Sequence, residues 1–210
     1  MYIEGITVCV DYDDFLKITL PLNKRFLNKT YVVTESRDSK TIKVCQDNNV
    51  EIIYSTRIHE SDKDVFNRGK GINTALRYIQ RIGWVILFDS DIIFPSNFRE
   101  KIENYQLETN CIYGLGKKVF ESKESWNSQT ESYVNGDFGY GHFQLFHGQS
   151  PNIQGGYNEN FKMANLSDVE FKNRWKRKQK SLWDNNTPEY IFHLGIEKTN
   201  WGGRVTPRWD

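Results

Sequence analysis

The first half of the chain alternates short β-rich runs with segments of helical character. The runs predict strands at residues 6–10, 31–34, 50–54 and 84–88, and the segments between them predict helices at residues 15–20, 41–46 and 72–81. The last run, Trp84–Phe88, is apolar at every position, as expected of a strand that is covered on both faces. This alternation predicts an α/β fold, in which a doubly wound domain is built on a mostly parallel central sheet.

The second half is less regular and is rich in glycine and aromatic residues between positions 133 and 156. A helix is predicted at residues 168–180, and a short apolar run leads to His193. No internal repeat, low-complexity tract or linker divides the sequence. We therefore expect a single domain over residues 1–210.

The composition is that of a globular protein with little net charge. Of the 210 residues 38% are hydrophobic, which is enough for a core, and a net charge of +1 gives no overall attraction to polyanions. The three cysteines are widely separated, which suits buried thiols better than a disulfide framework. The N-terminus lacks the features of a secretory signal and the longest apolar run is too short to cross a bilayer, so a cytoplasmic location is expected.

Two carboxylates, Asp89 and Asp91, flank Ser90 directly after the apolar run. Open α/β sheets bind ligands at the carboxyl ends of their strands. Carboxylates one residue apart at this place can offer oxygen ligands to Mg²⁺ or Mn²⁺ bridging a diphosphate. The alternative is that Asp89 caps a helix and Asp91 is merely solvated.

In the setting ILFDSDIIFP, this Asp-x-Asp motif resembles that of the GT-A glycosyltransferases, in particular the inverting family 2-like enzymes. The resemblance covers most of the chain and rests on the order of several short motifs. It implies a nucleotide-sugar donor, with a UDP-sugar favoured, and Mn²⁺ or Mg²⁺ as the cofactor. It also implies a nucleotide-sugar-binding half at residues 1–95 and an acceptor-side half at residues 96–210.

The same resemblance implies roles for residues on the donor side. Asp91 is the expected direct metal ligand, and Asp89 contacts the metal or the ribose, with Ser90 beside it at the donor. The other implied donor-binding residues lie in three loops: Val10, Asp11 and Tyr12 after the first strand, Glu35 after the second strand, and Arg68 in the turn that opens a helix.

Asp168 is the candidate base for taking the proton of the acceptor. Family 2-like enzymes usually carry Glu-Asp at the start of the corresponding helix, whereas this chain has Ser167 and Asp168, so the aspartate is kept and its acidic neighbour is not. A helix N-cap is the alternative role for either residue. Glu170 is the second candidate base.

Two further residues are expected near the diphosphate. His193 ends a short apolar run and matches the C-terminal histidine that supplies a metal ligand in many GT-A enzymes, although a lone histidine in such a run is more often structural. After it, Lys198, residues 201–203 and Arg204 are expected to form a mobile loop in which Arg204 binds phosphate and assists the reaction.

Two glycine- and aromatic-rich segments, residues 139–144 and 155–157, resemble the acceptor side of the same enzymes. Paired glycines let a main chain approach a ligand closely, and aromatic rings stack on sugars or bases. Tight turns in a β region are the alternative interpretation.

Two other classes of function remain open at this stage. Haloacid dehalogenase-like phosphatases also place Asp-x-Asp after an apolar strand and would use Asp89 as a nucleophile, although their motif usually lies near the N-terminus. A nucleotide-sugar-binding module without catalysis is the other alternative, and it predicts binding without turnover.

Residues 172–180 hold six basic side chains and no acid, close in sequence to Asp168. A solvated helix face is one explanation. On a nearly neutral protein such a segment is also a local electrostatic footprint for an anionic polymer. Phage enzymes that glycosylate hydroxymethylated pyrimidines in DNA are similar in size, so hydroxymethylated DNA is the leading acceptor hypothesis, and a surface glycan or its lipid-linked precursor is the second.

Overall fold

The computed structural model describes residues 1–59, 66–136, 141–161, 164–183, 189–196 and 204–210. The strands in these ranges are β1 (Ile3–Val8), β2 (Lys29–Thr34), β3 (Glu51–Tyr54), β4 (Trp84–Phe88), β5 (Ile92–Ile93), β6 (Ile112–Gly114), β7 (Gly116–Phe120), β8 (Tyr133–Asn135), β9 (Phe143–His147), β10 (Gln179–Ser181) and β11 (Tyr190–Leu194). The α-helices are α1 (Asp13–Asn23), α2 (Ser39–Asn48), α3 (Arg68–Leu76), α4 (Phe98–Asn104), α5 (Lys123–Asn127) and α6 (Ala164–Asn173). Short 3₁₀ turns follow α1 at Lys24–Phe26 and β9 at Pro151–Ile153.

The main sheet has seven strands in the order β10-β6-β9-β4-β1-β2-β3. Strand β9 runs antiparallel to both of its neighbours, and every other pair in this sheet is parallel. The predicted α/β fold with a mostly parallel central sheet is therefore confirmed. A second sheet, in the order β5-β11-β7-β8, was not predicted, although the short apolar run that leads to His193 was recognised and forms its strand β11.

Strand β4 is covered on both faces, as its apolar sequence predicts. Val85 and Leu87 belong to a core with residues of α3 and α6. The alternate positions, Trp84, Ile86 and Phe88, belong to a second core with residues of α4. Successive side chains of a strand point to opposite faces, so a strand between two helical layers must be apolar throughout.

Helix α1 extends beyond its predicted end at residue 20 and includes Pro21. Tertiary hydrogen bonds hold its last turns against the segment that follows β4. Thr19 Oγ1 donates to the carbonyl oxygen of Ser90 at 2.7 Å, and the side chain of Asn23 donates to Ile92 O at 2.7 Å and accepts from Phe94 N at 2.9 Å. Helix α1 therefore holds the main chain of the Asp-Ser-Asp turn at Ser90 and just after the turn.

The predicted helix at residues 168–180 is wrong in both boundaries. Helix α6 begins at Ala164 and ends at Asn173, and residues 179–181 form β10. The chain leaves the helix because Trp175 is buried in the core and Lys176 has a left-handed φ of 48°. Asp168 therefore lies inside α6, and the alternative of an N-cap at Ser167 or Asp168 is excluded.

The cysteines are all buried and free, as predicted: Cys9, Cys45 and Cys111. Among the described residues, no helix has the length and apolar character needed to cross a membrane.

Candidate active site

Arg68, Asp89 and Asp168 meet at the carboxyl ends of the parallel strands. Asp89 follows β4, Arg68 is the first residue of α3, and Asp168 projects from α6. The guanidinium of Arg68 bridges the two carboxylates, with Nε 2.8 Å from Asp89 Oδ1 and a terminal nitrogen 2.6 Å from Asp168 Oδ1. Three residues far apart in the sequence therefore form one ion-paired site.

Arg68 is a charged group held in a buried position, with its side chain only 8% exposed. Burial acts to lower the pKa of its guanidinium, but the adjacent Asp89 and Asp168 outweigh this effect and raise the pKa above its usual value. The guanidinium therefore remains charged. A buried cation of this kind is available to an anionic ligand that enters the site.

Asp168 is a buried carboxyl whose two oxygens have different surroundings. Oδ1 accepts hydrogen bonds from Arg68 and from the hydroxyl of Tyr157, the latter at 3.0 Å. A Cβ atom added to Gly141 would lie 3.7 Å from Oδ2. Burial raises the pKa of Asp168 to about 7, against the opposing effect of Arg68. A carboxyl with this pKa can exchange a proton near neutral pH.

Asp91 and His193 face each other on the other side of the motif, with His193 Nε2 3.7 Å from Asp91 Oδ2. Asp91 Oδ1 and His193 Nδ1 are buried, and within the described part of the chain neither makes a hydrogen bond of normal geometry. Buried polar atoms almost always have partners, so such atoms suit a bound cation. Burial also lowers the pKa of His193 well below its usual value, which keeps the ring in the neutral form that binds metals.

The described residues do not form a complete metal site by themselves, since no three His, Cys, Asp or Glu side chains among them are arranged to hold an ion together. Asp89 has a partner on each oxygen, namely Arg68 on Oδ1 and His142 Nδ1 at 3.1 Å from Oδ2. Mg²⁺-type cations commonly use one or two protein ligands and take substrate phosphates for the rest. Asp91 and His193 fit that pattern, and the metal contact implied for Asp89 stays a prediction.

Lys117 and His142 belong to this site, although sequence reasoning assigned no role to Lys117 and included His142 only as part of the acceptor-side segment at residues 139–144. Lys117, on β7, is only 3% exposed, and its Nζ lies 2.6 Å from His142 Nε2. Burial lowers the pKa of Lys117 to about 8. The adjacent Lys118 faces the surface and pairs with Glu131. Nothing in the sequence distinguishes the two lysines, because the direction of each side chain depends on the pairing of β7.

The loop after β1 lies near the motif. Burial and the nearby carboxylate of Asp91 raise the pKa of Tyr12, and the donor-side role of this loop remains a prediction. Asp11 adopts a left-handed φ of 59°, and its N–H donates to Asp38 Oδ2 at 2.9 Å. Val10 is buried in the core below this loop. The main chain here is held by α2, which Asp38 caps.

Glu35 follows β2 and is buried, as an acidic residue that contacts a base would be. Its carboxylate accepts hydrogen bonds from Arg37 Nε at 2.5 Å and lies 2.7 Å from His59 Nδ1. Burial opposes ionisation, but the hydrogen bonds from His59 and Arg37 hold the pKa of Glu35 below its usual value. Both oxygens therefore already have protein partners, and the contact with a base remains a prediction.

The position of Arg204 does not support its expected contact with phosphate. Two of its N–H groups donate to the carboxylate of Asp14, each at 2.7 Å. The other three donate to main-chain oxygens, those of Asp11, Thr206 and Pro207. All five N–H groups are thus used to hold the C-terminal segment on α1. The rest of the proposed mobile loop, Lys198 and residues 201–203, lies outside the described residues.

The second glycine-rich segment forms a tight turn, as its alternative interpretation predicts. Gly155 and Gly156 have φ angles of 79° and 63°. A Cβ atom at Gly156 would lie 2.1 Å from Asn73 Oδ1, so this position requires glycine. Of the first segment, residues 139 and 140 lie outside the described residues, and Gly141 lies beside Asp168.

The basic segment does not lie at the catalytic end of the sheet. Its residues 176–178 directly precede β10. Gln179, the first residue of β10, is aligned with Val85 of β4 through the pairing of β10 with β6, β6 with β9 and β9 with β4. Val85 is four residues before Asp89, which is about 13 Å along a strand. Residues 176–178 are therefore near Asp168 in the sequence but lie away from the Asp-Ser-Asp motif in the fold.

No protein-family model matches this chain, and neither does any curated protein sequence. Solved structures do match. A mutant of Drosophila β-1,4-galactosyltransferase 7, in complex with manganese, UDP-Gal and xylobiose, is 13% identical, with a TM-score of 0.58 over 96% of this chain and 73% of that one. Glucosyl-3-phosphoglycerate synthase of Mycobacterium tuberculosis, in complex with Mn²⁺, UDP and phosphoglyceric acid, is 10% identical, with a TM-score of 0.55 over 91% and 70%.

A third match is 4-diphosphocytidyl-2C-methyl-D-erythritol synthase of Anaerococcus prevotii, which is 14% identical, with a TM-score of 0.50 over 93% of this chain and 88% of that one. At such identities the likeness concerns the fold. The chain has the Rossmann-like GT-A fold, in agreement with the resemblance that its motifs suggest.

Proposed function

We propose that this protein is a metal-dependent glycosyltransferase that moves a sugar from a nucleotide-sugar donor, with a UDP-sugar favoured, to a hydroxyl acceptor. The main support is the bridge that Arg68 makes between Asp89 of the Asp-x-Asp motif and Asp168, the candidate base. The bridge puts a donor-side group and an acceptor-side group in one site. The solved relatives that bind Mn²⁺ with UDP or a UDP-sugar add weight to this choice of donor and cofactor.

In this proposal Asp168 accepts the proton of the acceptor hydroxyl while the oxygen attacks the anomeric carbon, and the bond to the diphosphate breaks on the opposite face. The anomeric configuration is then inverted. Asp91 and His193 would hold the cation, which would supply positive charge to the leaving diphosphate. Arg68 orients Asp168 and adds a second positive charge next to the motif.

The geometry argues against a phosphatase that uses Asp89 as its nucleophile. Both oxygens of Asp89 are engaged, one by Arg68 and one by His142. A carboxylate nucleophile must direct an oxygen at phosphorus, so it needs one that is not tied in this way. Its neighbour Asp91 has the less engaged carboxylate.

For the acceptor, the geometry favours a glycan or another small hydroxyl compound over DNA. Residues 176–178 precede β10 and so lie at the amino end of the strands, whereas Asp89 lies at the carboxyl end. Two further basic residues of this segment are already paired with glutamates, Arg174 with Glu170 and Lys180 with Glu108. Hydroxymethylated DNA is retained as the second candidate because Lys176, Arg177 and Lys178 are exposed.

The proposed function is tested by a screen of nucleotide sugars with Mn²⁺, with Mg²⁺ and with a chelator. We expect hydrolysis or transfer from at least one donor, UDP-sugars first, that is lost on chelation. One set of reactions contains mono- and disaccharides as acceptors, and the other contains hydroxymethylcytosine DNA. The products of both are identified by mass spectrometry. Tight binding of a donor without turnover under all conditions would instead indicate a binding module.

Transfer is expected to rise with pH through about 7 and to level off above it, as measured by kcat over a pH series with a fixed Mn²⁺ concentration. The sign follows from the role of Asp168, because only the ionised carboxylate can take a proton and burial raises its pKa. A rate that falls over this range would contradict a base at Asp168.

A further inference from the structure

Tyr157 lies beside the candidate base and is held rigidly. Its side chain is buried, and its ring stacks on Phe171 with centroids 4.3 Å apart and an interplanar angle of 15°. The side chain of Asn73 also holds its main chain, accepting from Tyr157 N at 2.7 Å and donating to Tyr157 O at 2.9 Å. The position of the phenol oxygen is therefore determined by both the ring and the backbone.

The phenol oxygen lies within hydrogen-bond distance of two possible acceptors, Asp168 Oδ1 at 3.0 Å and Gln144 Oε1 at 2.7 Å. A phenol has only one proton, and a bond to an ionised carboxylate is the stronger of the two. We therefore assign the proton to Asp168. The oxygen and nitrogen of a glutamine amide exchange places by rotation, so Gln144 then turns its NH₂ group to the phenol oxygen.

These bonds make the two oxygens of Asp168 unequal. Oδ1 accepts hydrogen bonds from Arg68 and Tyr157, whereas Oδ2 is the oxygen that lies toward Gly141, 3.7 Å from where a Cβ atom of that residue would be. We infer that Tyr157 is a positioning residue: it holds Oδ1 of Asp168, so that Oδ2 is the atom that takes the acceptor proton next to Gly141. This inference rests on the proposed function for its catalytic meaning, but the hydrogen bond itself can be tested separately.

The charged and titratable groups that act on Asp168 include Asp89 after β4, Arg68 on α3 and Tyr157 in the turn before α6. Burial and Asp89 raise the pKa of its carboxyl, whereas Arg68 and Tyr157 lower it. Loss of the phenol hydroxyl should therefore shift the pKa upward, because the ionised form loses a hydrogen-bond donor.

The decisive variant is Tyr157→Phe, which keeps the ring and its stacking on Phe171. We expect the apparent pKa of the base, read from the pH profile of kcat, to rise by about one unit. At pH 7, kcat should fall about five- to ten-fold, with the KM for the donor unchanged. The carboxyl resonance of Asp168 in ¹³C NMR, assigned by its loss in Asp168→Asn, should report the same shift without any turnover.

Tyr31→Phe is the matched control, because it also removes a buried phenol that bonds a carboxylate, Glu4 Oε1 at 3.1 Å, at a distance from the site. A purely structural role for Tyr157 predicts that both variants lose thermal stability and that neither changes the pH profile. That result, with normal transfer by the wild-type protein, would overturn the positioning role and leave the proposed function intact. A shift in the NMR titration of a protein that transfers no sugar would instead overturn the function and leave the hydrogen bond.

Gln144→Leu provides a second variant that tests the direction of the proton and does not depend on Tyr157→Phe folding. If the phenol donates to Asp168, loss of Gln144 removes a donor to the phenol oxygen and raises the pKa of Asp168 slightly. If the phenol donates to Gln144, the same change frees its proton for Asp168 and lowers that pKa. A decrease would contradict our assignment.

Discussion

Replacing Asp91 by alanine is expected to abolish both manganese-dependent binding of the donor and turnover. Burial and the adjacent Asp89 raise the pKa of Asp91 to about 8, so its carboxyl is placed where ionisation is costly unless a cation is bound. Without it, the cation loses the carboxylate that faces His193, and the charge of the diphosphate has less to balance it. Donor binding is measured by calorimetry with and without Mn²⁺, and turnover by release of the nucleoside diphosphate.

The matched control is Asp47→Ala, which removes an exposed carboxylate that pairs with Lys43 on α2. An exposed pair of this kind contributes at most about 1 kcal/mol to stability, so binding and turnover should be unchanged. Circular dichroism shows whether each variant folds. If Asp91→Ala is folded and still binds its donor in a manganese-dependent way, Asp91 is not a metal ligand.

Replacing Asp168 by asparagine is expected to lower transfer by about two orders of magnitude or more while the affinity for the donor survives. Asparagine is nearly isosteric, and its oxygen can still accept from Arg68 and Tyr157. The geometry of the site is thus kept, and only the ability to take a proton is lost. Single-turnover rates and donor titrations measure the two effects separately, and proton NMR of the wild-type product with a defined donor should show inversion.

Glu170→Gln is the control for this variant, because Glu170 lies on the same helix and is the second candidate base. Its carboxylate makes an ion pair with Arg174 at 2.8 Å and is partly exposed. We expect its transfer rate to stay close to that of the wild-type protein. The opposite pattern, with Glu170→Gln inactive and Asp168→Asn active, would move the base to Glu170, and a product with retained configuration would exclude a single displacement with Asp168 as base.

Much of the fold was predictable because its signals are local. Strands and helices alternate visibly in the sequence of the first half. The run Trp84–Phe88 is apolar throughout because both faces of this strand are buried. The small second sheet and the end of α6 were not predictable. The former depends on pairing between segments that are far apart in the sequence, and the latter depends on the burial of Trp175.

The candidate site likewise contains some features that the sequence predicts and others that only the structure shows. The place of Asp89 and Asp91 after a buried strand is a local feature, so the sequence alone indicated it. The partner of each charged side chain is a matter of tertiary contacts. Arg204 illustrates this. Its sequence position is compatible with binding a phosphate, but in the structure its guanidinium is bound bidentately by Asp14.

The sequence by itself thus determined the four strands β1 to β4 of the main sheet, the carboxylates that follow β4 and the acidic residue of α6. Only the tertiary structure decided that Arg68 joins Asp89 to Asp168, that Lys117 rather than Lys118 is buried near the motif, and that residues 176–178 lie away from it. The physical reason is that hydrophobic periodicity is a property of neighbouring residues, whereas an ion pair or a buried charge depends on which distant segments pack together.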